Sequence, residues 1–222
     1  MMKIQIGNVP KIPDFDPEAE SLHTISGPNQ SASFLIAGLT GIVLLICPTL
    51  VLCYAFSFFA IPNPDPVQGA QLSPPWEAIV PTLLFYIPFH ELMHLVWHPQ
   101  MGTSDQSILV LWPSKLRFGV YYEGSMSRTR WLIMRGFPFV ALSLVPAAFL
   151  SIFQNVPFNN FLRTSLEVLM VVNGAGSGGD VIAMLLVLFQ VPQKGEMCFR
   201  GGRAYWRTGA PEGASSLPTV LK

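Results

Sequence analysis

The sequence is short of charge. Only 12% of its 222 residues are Asp, Glu, Lys or Arg, where a soluble domain carries about 25%. Thirteen basic residues are cancelled by thirteen acidic ones, so no cationic field invites nucleic acid. Cysteine is scarce as well: Cys47, Cys53 and Cys198 make neither a disulfide framework nor a metal cluster. Twenty prolines and eighteen glycines stand in a chain that is 50% hydrophobic, too apolar for intrinsic disorder. With a mean hydropathy of +0.44, the composition points to an integral membrane protein of one domain.

No charged side chain lies between Glu20 and Asp65. Phe34 to Ala60 is an apolar run long enough for ~30 Å of hydrocarbon. It begins too far into the chain, after too acidic a leader, for a signal peptide. Trp76 to Trp97, Trp131 to Phe153 and Phe161 to Val191 are the next candidates, and the pattern predicts an all-α membrane protein of about four transmembrane helices. Lys and Arg are frequent in the N-terminal tail, absent from 61–75, frequent between the second and third runs, sparse in the next loop and frequent again at the C-terminus. The positive-inside rule then puts both termini in the cytoplasm. This divides the chain into an N-terminal cytoplasmic tail (1–32), a membrane domain (33–191) and a C-terminal cytoplasmic tail (192–222). Both tails lack periodicity and read as mobile. Within the second loop, Ser107–Trp112 and Leu116–Tyr122 are β-branched and aromatic around the turn Pro113-Ser114-Lys115. They predict a small cytoplasmic hairpin, either capping the bundle or offering an edge for an extended peptide.

The second span contains His90-Glu91-Leu92-Met93-His94, an H-E-x-x-H pattern. On a helix the two histidines share a face and can hold one zinc ion. Glu91 points about 100° away from His90. It suits a general base better than a third ligand, taking the proton of a water acidified by the metal. With four His and eight Glu in the chain, the pattern arises by chance in roughly one such sequence in 400, and ionisable residues inside a span are costly unless used. His98 lies ~12 Å along the axis from His90, too far to share the ion, and reads as interfacial. His23, in the tail, is weaker still. The better third ligand is Asp180, at the end of Asn173-Gly174-Ala175-Gly176-Ser177-Gly178-Gly179-Asp180. So many glycines predict a broken fourth span of the kind that lines a site, with Ser177 and Asp180 spaced as a capping box. Arg163 and Glu167 are spaced to pair at i,i+4, and Arg135 to snorkel to the interface.

Taken in order, the His-Glu-Leu-Met-His motif, the basic strand-rich loop, Phe137-Pro138-Phe139 with Leu142-Ser143-Leu144, and Asn173-x-x-x-Ser177-x-Gly179-Asp180 resemble the putative zincin peptidase family. These are small membrane proteins distantly similar to the site-2 intramembrane metalloproteases. The resemblance covers about 33–191. It implies one Zn2+ held by His90, His94 and Asp180, Glu91 as general base, and Asn173 with Ser177 positioning a membrane-protein or peptide substrate. The chain departs from the site-2 enzymes in lacking their Leu-Asp-Gly motif, since Asp180 stands between Gly179 and Val181. The expected function is a membrane-embedded zinc metalloprotease cutting near the cytoplasmic face. The alternatives are a zinc-bound, non-proteolytic scaffold or adaptor, and a metal transporter or oxidase-type enzyme.

Overall fold

Apolar runs become helices and β-branched runs become strands in a computed structural model that describes residues 1–7, 15–27, 32, 35–44, 46, 76–115, 117–153, 156 and 159–208. Helix α1 is Leu35–Leu44. Helix α2, Trp76–Val96, carries Pro81 and Pro88 and buries only Ala78, His90 and His94. About half of its residues are exposed, mostly apolar ones, with Leu84 and Phe85 each 69% exposed. Helix α3, Arg128–Phe139, starts at Ser127, whose hydroxyl accepts the N–H of Arg130. It passes through a π-turn, Val140–Leu144, into α4, Val145–Ile152. Pro146 lacks an N–H and would crowd the carbonyl four residues back, and the wider π-turn just before it gives that carbonyl room. Helices α5, Asn160–Gly176, and α6, Gly178–Gln190, meet at Ser177 with a bend of 43°.

The strands gather into two sheets. One, in the order β1-β3-β4, joins Lys3–Ile6 to the hairpin of Ser107–Trp112 and Arg117–Tyr122. The other, in the order β2-β7-β6-β5, joins His23–Thr24, Arg203–Thr208, Gly195–Arg200 and Ser125–Ser127. A buried cluster of Tyr122, Met126, Trp131, Met134, Val187, Val191 and Met197 ties both sheets to α3 and α6.

The all-α, four-span expectation is thereby corrected. The fold is mixed α/β. Helix α2 and the run Arg128–Ile152 are long and apolar enough to cross a membrane, and the bent pair α5–α6 makes a third only if counted as one span. Of the first apolar run, the described part is the ten-residue α1 and Ile46, and the rest lies outside the described residues, as does the loop 61–75. Tail residues read as mobile supply β1, β2, β6 and β7. β1 and β2 pair with strands more than a hundred residues away, such as Lys3 opposite Ile108, and leave no periodic signal in short segments, whereas β6 and β7 form a local hairpin about Gly201-Gly202, a turn signal the sequence reading passed over. The hairpin has its expected strands and turn.

The fourth run also differs in detail. Its glycines do not unravel it: α5 continues through Asn173-Gly174-Ala175-Gly176 and the break is confined to Ser177. Gly176 lies where a Cβ would collide with the Tyr86 hydroxyl, and Gly178 where it would collide with the backbone of Ala37 and Gly41. The glycines let α2 and α1 approach the bend closely.

Candidate metal centre

His90 and His94 are one turn apart on α2, buried, with ring centroids 5.0 Å apart. Each ring is held from behind. The Nδ1–H of His94 donates to the carbonyl of Met134 on α3 at 2.9 Å. The Nδ1–H of His90 donates to Oδ1 of Asn173 at 2.7 Å. The direction of the second bond follows from its neighbours. Nδ2 of Asn173 donates to the carbonyl of Pro138 at 3.0 Å and to the hydroxyl of Ser143 at 2.7 Å, and Ser143 donates onward to the carbonyl of Met170. Oδ1 of Asn173 is thus the acceptor, and the π-turn places Ser143 in this chain.

With both Nδ1 atoms protonated, both Nε2 atoms carry lone pairs. They converge on one oxygen, Oδ2 of Asp180, at 3.1 Å from His90 and 3.4 Å from His94. The other oxygen, Oδ1, accepts from Nη1 of Arg135 at 2.8 Å. Asp180 is 8% exposed. Three lone pairs directed at one buried point repel unless a proton or a metal ion lies between them, and two imidazoles with a carboxylate are the donor set of a catalytic zinc site. The residues present fit the metal.

Glu91 stands beside this set. An oxygen of its carboxylate and a ring nitrogen of each histidine all lie within 4.8 Å of one another. Although its side chain leaves the helix at another angle, it therefore reaches the site. Asp180 touches both histidines more closely. Oε2 of Glu91 accepts the backbone N–H of Val120 on β4 at 3.2 Å.

Asn173 and Ser177, offered by the resemblance for substrate positioning, are both 0% exposed. Every polar atom of the Asn173 side chain is engaged within the protein, and the hydroxyl of Ser177 donates to the Asn173 carbonyl at 2.7 Å. Ser177 makes no side-chain cap at the start of α6, so the capping-box expectation is not met. Arg163 and Glu167 pair at 3.0 Å as their spacing predicts.

Three features escaped the sequence reading. Arg135 does not snorkel outward but orients Asp180, with its guanidinium 5.3 Å from the Trp131 ring. A cation one turn inside an apolar run is itself costly, and that signal could have found it. Arg130 donates to the carbonyls of Trp97 and His98, at 2.7 and 2.9 Å, closing the C-terminal end of α2. His98 is buried, not interfacial: its Nδ1 meets Ser107 Oγ at 3.2 Å and its ring packs on Tyr122. Burial pushes its pKa down to about 4, with the charges of His94, Arg135 and Arg130 adding to the effect. His23 stacks on Trp206 at the sheet β2-β7.

A narrow cleft of about 30 Å³, room for little more than a water, lies between β4, β6 and α3, lined by Val120, Tyr122, Met134, Arg135 and Phe199 among others. It joins the hairpin to the residue that holds Asp180.

Residues 83–195, just over half of the chain, match the family model described as putative zincin peptidase. The matched stretch contains His90, Glu91, His94, Asn173 and Asp180. The chain belongs to this family. No curated protein and no solved structure matches it.

Proposed function

We propose that this member of the zincin peptidase family is a membrane-embedded zinc metallopeptidase, with Glu91 as general base. The observation that carries the reading is the convergence of two Nε2 lone pairs and Oδ2 of Asp180 on one buried point beside Glu91. Zinc held by His90, His94 and Asp180 supplies Lewis acidity, lowering the pKa of water and polarising a carbonyl. Glu91 takes a proton from the attacking water as its oxygen adds to the peptide carbonyl carbon. It then returns that proton to the amine nitrogen as the C–N bond breaks. Asn173 and the Met134 carbonyl hold the two imidazoles in the tautomer that leaves Nε2 free, so Asn173 and Ser177 act on the reaction through His90. Arg135 keeps one oxygen of Asp180 occupied, leaving a single oxygen for the metal.

The same residues support a location as part of this reading. The outer face of α2 is hydrocarbon, while its end at His94 meets the sheets. Strands from the N-terminal segment, from the basic loop 107–127 and from the C-terminal segment share those sheets. This supports the reading that both termini and the site lie at the cytoplasmic face, with a peptide or membrane-protein substrate entering along the β4 edge.

The test is a fluorescently labelled, unstructured casein offered to the detergent-purified full chain, with zinc measured in parallel by mass spectrometry. Glu91→Gln keeps one zinc per chain and loses cleavage. His94→Ala and Asp180→Ala lose the zinc. Cleavage that survives in Glu91→Gln overturns the mechanism, and a zinc-bound wild type that cuts nothing favours a scaffold.

A further inference from the structure

A cavity that the proposed reaction does not use lies between α3, α6 and the β2–β7 side of the second sheet. It has a volume of about 590 Å³. We propose that it holds the headgroup phosphate of an anionic phospholipid between Arg135 and Arg203. The inference rests on the membrane part of the reading above and is independent of the peptidase part.

Helical spacing sets one of the two cations in place. Arg128, Trp131 and Arg135 share one face of α3, and this face meets α6. Arg128 donates to the carbonyl of Leu188 at 3.1 Å, and Arg135 donates to Asp180. Asp180 takes only Nη1 of Arg135. Nε is buried without a partner, and the side chain is 31% exposed and borders the cavity. Held by Asp180 and stacked 5.3 Å from the Trp131 ring, this guanidinium is ordered before a ligand arrives, which lowers the entropy cost of binding.

Arg203 borders the same cavity from β7. It is exposed and has no ion pair among the described residues. The carboxylates near its sheet are engaged elsewhere: Glu196 pairs with Arg207 at 2.9 Å, and Glu20 with Arg200 at 3.9 Å. Among the described residues no Asp or Glu lines the cavity. Two guanidinium groups without a lining carboxylate select an anion, and their planar pairs of N–H groups suit the oxygens of a phosphate.

The remaining walls choose between a free phosphate and a lipid. Ile25, Ala183 and Leu186 line the cavity, and a free phosphate leaves this apolar surface uncovered. An amphiphile covers it. Leu186 and Phe189 lie on one face of α6, and Phe189 is 85% exposed, so an apolar strip leads from the cavity onto the helix surface. Basic pockets beside membrane helices at the cytoplasmic side bind anionic headgroups. The junction of the sheet with α6 is such a position under the location argued above.

The test uses the full chain in dodecyl maltoside and three probes: phosphatidylglycerol, phosphatidylcholine and inorganic phosphate. Native mass spectrometry counts what is bound, and Tm reads its effect. The wild type retains one phosphatidylglycerol, which raises Tm and is not replaced by phosphatidylcholine. Arg203→Gln binds it about tenfold more weakly. Leu186→Trp fills the cavity without a change of charge and weakens binding as well. Lys194→Gln removes an exposed charge outside the cavity and binds as the wild type does. Equal losses in Lys194→Gln and Arg203→Gln mean diffuse attraction to the surface and overturn the site. A Tm raised by inorganic phosphate and indifferent to phosphatidylglycerol overturns the lipid assignment. A chain that leaves the membrane fraction without detergent overturns the membrane reading and this inference with it. A chain that binds the lipid at Arg203 and cuts no peptide supports the inference and removes the peptidase reading.

Discussion

At the scale of single residues, the centre depends on atoms that do not themselves face the metal position. Asn173 is the clearest. Asn173→Ala strands the buried Nδ1–H of His90 and removes the amide donor to the Ser143 oxygen, whose hydroxyl still reaches the Met170 carbonyl, without adding any group to the site. Metal affinity falls 10–100-fold, as expected on the order of magnitude for the loss of an outer partner, and competition with a fluorescent chelator measures it. His98 gives a second prediction. Its folded pKa of about 4 lies below the ordinary 6.5, so the unfolded chain binds the extra proton first. The stability this neutral imidazole contributes is complete above pH 6.5 and is lost as pH falls toward 4, on the order of 3 kcal/mol in all. The groups around it are His94, Arg130, Arg135 and the Tyr122 ring, and the two arginines stay charged across this window. His98→Asn flattens the dependence of Tm on pH between 6.5 and 4. A parallel slope in wild type and variant contradicts this assignment.

At the scale of elements, close helix approach decides the site. The α5–α6 bend brings Asp180 over His90 and His94, and Gly176 and Gly178 admit α2 and α1 against it. Gly176→Ala puts a methyl onto the Tyr86 hydroxyl and costs about 1–3 kcal/mol. Adding Tyr86→Phe removes the offending oxygen and recovers part of the loss, while the ring carbon beneath it remains 3.0 Å from the new Cβ. The double-mutant cycle should therefore show a coupling of about 0.5 kcal/mol or more. Additive Tm shifts would mean that the helices move apart rather than clash. The π-turn works in the same direction. It accommodates Pro146 and lets Ser143 meet both Asn173 and Met170, so a proline that a sequence reading treats as a kink also tunes a ligand.

At the scale of the whole molecule, the proposed donors come from α2 and α6, the groups that hold them from α3, α5 and the π-turn, and Glu91 is tied to β4. A metal bound there links segments some ninety residues apart. At free zinc a hundredfold above Kd, the native state gains about 3 kcal/mol. Chelation should lower Tm in the wild type and leave Asp180→Ala unmoved, by scanning calorimetry or intrinsic fluorescence. Equal shifts in both proteins would place the metal elsewhere.

How much of this was legible follows from the range of each signal. His90, Glu91 and His94 are within one helical turn, Arg163 and Glu167 likewise, and the hairpin strands flank a three-residue turn. Local spacing was enough for all of them. Asp180 was legible as a lone acid beyond a glycine cluster. The strands of the N-terminal tail were not, because Lys3 finds Ile108 and His23 finds Trp206 only after the chain has folded back; the C-terminal hairpin about Gly201-Gly202 was legible locally and was missed. The Arg135–Asp180 pair and the hold of Val120 on Glu91 were not legible either, since neither partner's sequence neighbourhood marks the other. By itself the sequence determined the chemistry at hand: two histidines and a carboxylate on one helix, a distant aspartate, and apolar runs that become helices long enough to cross a membrane. Only the tertiary structure decided that two sheets complete the fold, that Asn173 holds His90 and Arg135 holds Asp180, and that Glu91 meets the backbone of β4. Spacing along a helix is fixed by 3.6 residues per turn, whereas contacts between distant segments are chosen by packing and by the need of each buried polar group for a partner.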